Sequence, residues 1–155
     1  MKNIIHLLKN KKYAILLLLF FPVFALSCAE TGDERSSMEE YSGNFIPPDN
    51  EVSTSASGNA IGIFDPETSD LSFEVEWEGL TTPVTNMHFH NEGPVIHGID
   101  GWEAETSGRV SGTVTLSEEE EADLAAGNIY IQIHTEEYPG GEVIAPLTGD
   151  GSNNE

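Results

Sequence analysis

The apolar positions of this chain fall into short alternating runs rather than helical stripes. Leu71, Phe73, Val75 and Trp77 alternate with Ser72, Glu74, Glu76 and Glu78. That is the period of a half-buried strand whose acids face water. Asp65-Pro66-Glu67-Thr68-Ser69-Asp70 reads as the turn before it, with 60–64 as the preceding hairpin strand. Val110, Val114 and Leu116 alternate with Ser111, Thr113 and Thr115, and Ile129, Ile131 and Ile133 alternate with Tyr130, Gln132 and His134. The run 143–147 forms a short closing strand, and Pro146, which has no N–H to donate, favours an edge. One helix interrupts this pattern. Ser117 with Glu120 three residues later makes a capping box. Glu118 to Glu121 suit the positive end of the helix dipole, and Gly127 ends it. The Glu run is therefore a solvated helix start rather than a cation site. Short strands, one helix and no βαβ alternation predict an all-β domain: a Greek-key-like antiparallel β sandwich or barrel with one short helix.

The first 27 residues have a different character. Lys2, Lys9, Lys11 and Lys12 form a basic start, followed by an apolar run over 14–26 broken only by Pro22. The run is about 13 residues, short of the roughly 20 that a spanning helix needs. This is the shape of a secretory signal. The only cysteine, Cys28, directly follows Ala25-Leu26-Ser27. In an exported chain a lone cysteine has no internal partner for a disulfide. The segment resembles a bacterial lipobox, in which the cysteine becomes the first residue and carries lipid. Ala25 and Ser27 stand where the commonest lipobox has Leu and then Gly or Ala. The resemblance implies export and a membrane anchor at Cys28. It places the protein at the outer membrane or cell surface of a Gram-negative bacterium. Residues 28–38 then read as an acidic flexible tether, 39–149 as the β domain and 150–155 as a polar tail.

Removing the signal sharpens the charge. All four lysines precede Cys28, so the remainder keeps Arg35 and Arg109 against 27 acidic residues, a net charge of −25 (2 − 27). Such a surface repels nucleic acid and anionic headgroups, which excludes a nucleic-acid partner, and it attracts cations.

Four histidines follow the signal: His88, His90, His97 and His134. In Asn86-Met87-His88-Phe89-His90 a strand projects both imidazoles from one face and Met87 and Phe89 from the other. His134 lies opposite the core face that Ile129, Ile131 and Ile133 mark. His97 comes seven residues after His90, past Gly93-Pro94, within reach of a returning loop. Imidazole ligates copper, zinc, iron and nickel, and a His-x-His pair joined by histidines from other segments is a common way to build such a site. With no free thiol, neutral nitrogens suit Cu(II), which tops the divalent affinity order. Zinc is the alternative, since four nitrogens also suit its tetrahedral site. Glu142, after Gly140-Gly141, is a candidate acceptor for a histidine N–H, which would fix the ring's tautomer. The bland alternative makes these unrelated surface histidines and a plain surface acid. Ser42 and Ser111 are ordinary strand residues, and no nucleophile elbow or P-loop is present.

Several segments resemble, in order, the motifs of the CHRD (chordin-type) domain family. Tyr41-Ser42-Gly43-Asn44-Phe45-Ile46-Pro47-Pro48 resembles its opening Leu-Ser-Gly and Glu-Val-Pro-Pro, with Phe45 in place of Glu. Ser57-Gly58-Asn59-Ala60 fits the strand that follows. Met87-His88-Phe89-His90 is similar to its Ala-His-Ile-His, and Gly93-Pro94-Val95 to its Gly-Pro-Val turn. The run from Gly127 to Thr135 resembles Gly-x-x-Tyr-Val-Asn-Val-His-Thr, and Pro139-Gly140-Gly141-Glu142-Val143 resembles Pro-Gly-Gly-Glu-Ile. Ile144-Ala145-Pro146 replaces the usual Arg-Gly-Gln.

A more distant resemblance is to copper/zinc superoxide dismutases. Those β sandwiches carry copper on an outer face through a His-x-His pair, a third histidine after a loop and a fourth on a late strand. His88, His90, His97 and His134 fall in that order. The stretch from His90 to Trp102 is too short for the zinc-binding loop of those enzymes, so the resemblance implies a copper-only form with superoxide dismutase-like activity. Three classes of function follow: a metal-binding domain, redox-active or serving copper storage and delivery; an extracellular binding or adhesion module; and a structural surface protein. The sequence names no protein partner.

Overall fold

A computed structural model describes residues 38–149. The signal segment, Cys28 and the polar tail lie outside these residues, as does the tether apart from Met38. The described chain runs β1 (Glu39–Asn44), β2 (Ser57–Asp65), β3 (Asp70–Glu78), β4 (Val84–Asn91), β5 (Val95–Gly98), β6 (Gly108–Thr115), α1 (Glu118–Ala126), β7 (Ile129–Thr135), β8 (Val143–Pro146) and β9 (Thr148–Gly149). One sheet has the order β6-β3-β2-β1-β9 and the other β5-β4-β7-β8, and all paired strands are antiparallel. The sheets do not close on each other, so the all-β expectation resolves to the sandwich rather than the barrel.

The alternating runs bury the side the pattern implies. In β3, Leu71, Phe73, Val75 and Trp77 are buried while Ser72, Glu74, Glu76 and Glu78 are exposed. In β7, Ile129, Ile131 and Ile133 are fully buried. They meet Met87 and Phe89 of β4 in one core, where Phe73 and Phe89 pack edge-to-face at 5.1 Å. Each such side chain contributes about 1.5–3 kcal/mol by leaving water. Two glycines of β6 make room for this core. Gly108 and Gly112 lie opposite Trp77 and Phe73, and a Cβ at either would come within 2.7–2.8 Å of the facing ring.

The helix forms as its caps dictate. Ser117 and Glu120 make the reciprocal capping box, and Gly127 ends the helix at φ 76° in the left-handed region. Pro146 sits on β8, an edge strand. Three strands, β1, β5 and β9, have no alternating run to announce them. They form because neighbours offer pairing groups: β1 along β2, β5 along β4, and β9 along β1. An isolated bridge between Ile46 and Ile144 ties the segment after β1 to β8.

Candidate metal centre

The outer face of the four-stranded sheet carries three of the histidines, His88, His90 and His134. Pairing of β4 with β7 sets Asn86 opposite His134, His88 opposite Gln132, and His90 opposite Tyr130. His88 and His134 are thus diagonal neighbours, close enough for long side chains to meet. His88 Nδ1 lies 3.3 Å from His134 Nε2. One nitrogen each from His88, His90 and His134 lie within 4.8 Å of one another, near enough to hold one metal ion. Bonds of about 2.0–2.1 Å from a tetrahedral ion place two nitrogens about 3.3–3.4 Å apart, the separation the His88–His134 pair already has.

Backbone carbonyls set the tautomers. His90 Nδ1 donates to the Gly93 carbonyl at 2.7 Å, and His134 Nδ1 donates to the Pro139 carbonyl at 3.0 Å. Each ring therefore keeps its proton on Nδ1 and presents a lone pair at Nε2. Ligating histidines show this arrangement, the far nitrogen fixed by a carbonyl so that the near one faces the metal. The His90 Nε2 lone pair is buried and has no hydrogen-bond partner. A stranded buried polar atom of this kind costs about 1–3 kcal/mol. With His134 Nε2 an acceptor, the 3.3 Å contact makes His88 Nδ1 the donor. Moving that proton to His88 Nε2 would free a third lone pair without ionising any group.

Electrostatics favour the neutral forms of His88 and His134. Burial, then the neighbouring His134 and His90, push the His88 pKa below the usual histidine range. For His134, burial lowers the pKa, the bond to Pro139 raises it and His90 lowers it, with a net downward shift. Tyr130 stacks on His90 with ring centroids 5.1 Å apart and planes within 4°. Burial raises the Tyr130 pKa, so its phenol stays protonated.

Two further candidates lie elsewhere. His97 sits on β5, whose register against β4 slips between Phe89 and His90, so that His97 pairs with Phe89 and Val95 with His90. Opposed residues share a face, so His97 falls on the inner side of the sheet. Its ring stands edge-on to Phe89 at 6.5 Å. Its Nε2 lies 3.3 Å from Glu120 Oε1 on α1, a close approach without the alignment of a hydrogen bond. The expectation that His97 returns by a loop overlooked this bulged strand. Glu142 is fully buried, and its partners among the described residues are threonines, not a histidine. Oε1 accepts from Thr54 Oγ1 at 2.6 Å and Thr81 N at 2.9 Å, and Oε2 accepts from Thr81 Oγ1 and Thr135 Oγ1, both at 2.8 Å. Burial raises its pKa, but these four bonds outweigh burial and hold the carboxyl below its ordinary range. The group joins the β1–β2 loop, the β3–β4 loop and the end of β7.

Sequence reasoning left Tyr130 and Gln132 without a role at the site, although the alternation of β7 already puts both on the face of His134. The carbonyls of Gly93 and Pro139 carry no signal in the sequence, since every residue has one and only the folded loop aims it.

The domain is thus an antiparallel β sandwich with three histidines clustered on an outer sheet face. Its family is shown by the match of the CHRD domain model to residues 39–144, and the chain belongs to the CHRD domain family. Comparison with curated proteins and with solved structures found no match. Among the described residues, no helix is long and apolar enough to cross a membrane.

Proposed function

We propose that this chain is an exported, lipid-anchored CHRD-domain protein that binds copper through His88, His90 and His134. The observation that carries the reading is the buried, unpartnered Nε2 lone pair of His90, beside two imidazoles already turned toward a common point. Three neutral nitrogens with no thiol or carboxylate suit Cu(II) above the other divalent ions. The acidic surface gathers cations around the site. The test is metal analysis of the full-length chain after washing with a competing chelator, which strips ions held only by surface acids. One copper per chain is expected, and the His88→Ala, His90→Ala double variant should hold less than a tenth of that. Equal copper in the two proteins refutes the site. Zinc in place of copper, with no position left open, would make it structural.

A catalytic role is the second reading, favoured because the triad lies on an outer sheet face with only three protein ligands. A bound copper ion would supply one-electron redox chemistry there, and superoxide is the substrate the resemblance to dismutases suggests. Charge opposes this anion. The domain's one arginine, Arg109, lies on β6 of the other sheet, 2.8 Å from Glu76 and 3.9 Å from Glu74. Decay of superoxide on copper-loaded protein should therefore be slow and should quicken with salt as repulsion is screened. Decay equal to that of the metal-free chain assigns the protein to copper storage or delivery.

A further inference from the structure

The loop between β7 and β8 folds back over the outer face of β7 and meets two of its side chains in succession. His134 Nδ1 donates to the Pro139 carbonyl at 3.0 Å, and Gln132 Nε2 donates to the next carbonyl, Gly140, at 3.1 Å. Residues 132 and 134 share one strand face, so neighbouring side chains hold neighbouring carbonyls. Gln132 is itself buried, at 7 % exposure. The loop comes down onto its amide because residue 141 is glycine. Gly141 has φ 118°, a conformation that side chains avoid, and a Cβ there would overlap the Gln132 amide. The Tyr138 carbonyl accepts from Gly141 N at 3.0 Å and Thr135 N at 3.3 Å, which closes the loop at its base.

We propose that Gln132 is a positioning residue for the metal centre, acting through this loop. By holding the Gly140 carbonyl it fixes the Pro139 carbonyl beside His134, which keeps the His134 proton on Nδ1 and its Nε2 lone pair turned to His88 and His90. The metal-affinity part of this inference rests on the metal-binding reading given above. The tautomer part does not. Gln132 is directly opposite His88 in the β4–β7 pairing, so it lies at the centre of the triad without being one of its ligands.

The test compares wild type with Gln132→Leu, which keeps the bulk and removes the donor, in the full-length chain. Two quantities are read. The first is Cu(II) affinity by competition titration, expected to fall by up to about 10–100-fold, the range seen when a metal ligand loses its outer hydrogen-bond partner outright, since here that partner is loosened rather than removed. The second is the ring nitrogen shifts of 15N-labelled, metal-free protein. His134 should pass from the Nδ1–H form to a mixture of tautomers, while His90, held by Gly93, should not change. A residue that only stabilises the fold would leave the His134 tautomer as it is. Should Gln132→Leu fail to fold, Gln132→Asn removes the same bond by shortening the reach by one methylene, and the same two changes are expected. Unchanged affinity with an unchanged tautomer overturns the proposal. A shifted tautomer in a protein whose wild type takes up no Cu(II) overturns the metal reading and upholds the clamp.

Discussion

Replacing Glu142 with Gln isolates the charge of a carboxylate whose shape is kept. Four donors converge on it, and all of its surface is buried. In the variant, the amide oxygen takes the Oε1 place, because the Thr81 N–H can only donate. The NH2 group then faces the hydroxyls of Thr81 and Thr135, which rotate to accept. All four contacts survive without charge assistance, a loss of about 1 kcal/mol each. Relief from burying an ionised group offsets part of this. We expect a net loss of about 2–3 kcal/mol at pH 7 by denaturant unfolding, with the slope on denaturant unchanged. The pH dependence gives a second check. The folded-state pKa of Glu142 is depressed, so the unfolded chain binds the proton more readily. Its contribution is complete above the unfolded pKa, about 4.3, and is lost as pH falls through the lower folded value. The gap between wild type and variant should therefore narrow as pH falls below about 4.3. A gap under about 0.5 kcal/mol at pH 7, or one that persists at low pH, would refute the account of this carboxylate as a charged hub.

Four other outcomes follow from the geometry. His97→Ala should leave copper affinity within about twofold of wild type, measured by the same competition titration, since His97 faces the opposite side of the sheet. Gly93→Ala should cost about 1–3 kcal/mol in unfolding free energy by backbone strain, because φ is 133° and the added Cβ meets nothing within 4 Å. It should also weaken copper binding by disturbing the carbonyl that orients His90. The depressed pKa values of His88 and His134 favour protonation of the unfolded chain, so metal-free stability should decline as pH falls through about 6.5. That decline should be absent from a His88→Ala, His134→Ala variant in urea titrations at several pH values. Finally, wild type should incorporate a fatty-acid analogue and Cys28→Ser should not; equal labelling removes the lipid anchor.

Much of this protein follows from local pattern. The alternation at 71–77 and 129–133 determined which faces are buried, because a strand offers only two sides and water sorts them. Ser117, Glu120 and Gly127 determined the helix ends, because caps are satisfied within a few residues. The same two-residue period put His88 and His90 on one outer face and His134 on an outer face. Only tertiary structure decided that these faces are one. The β4–β7 register makes His88 and His134 diagonal neighbours, and register depends on partners more than forty residues away. A single slip of pairing between Phe89 and His90 carried His97 to the inner face, and no periodicity within β5 reports a bulge in its pairing with β4. Glu142 passed for a surface acid or a histidine's partner because its donors, Thr54, Thr81 and Thr135, come from three distant segments. Burial of a charge is a property of what surrounds it, and that surrounding exists only once the chain has closed.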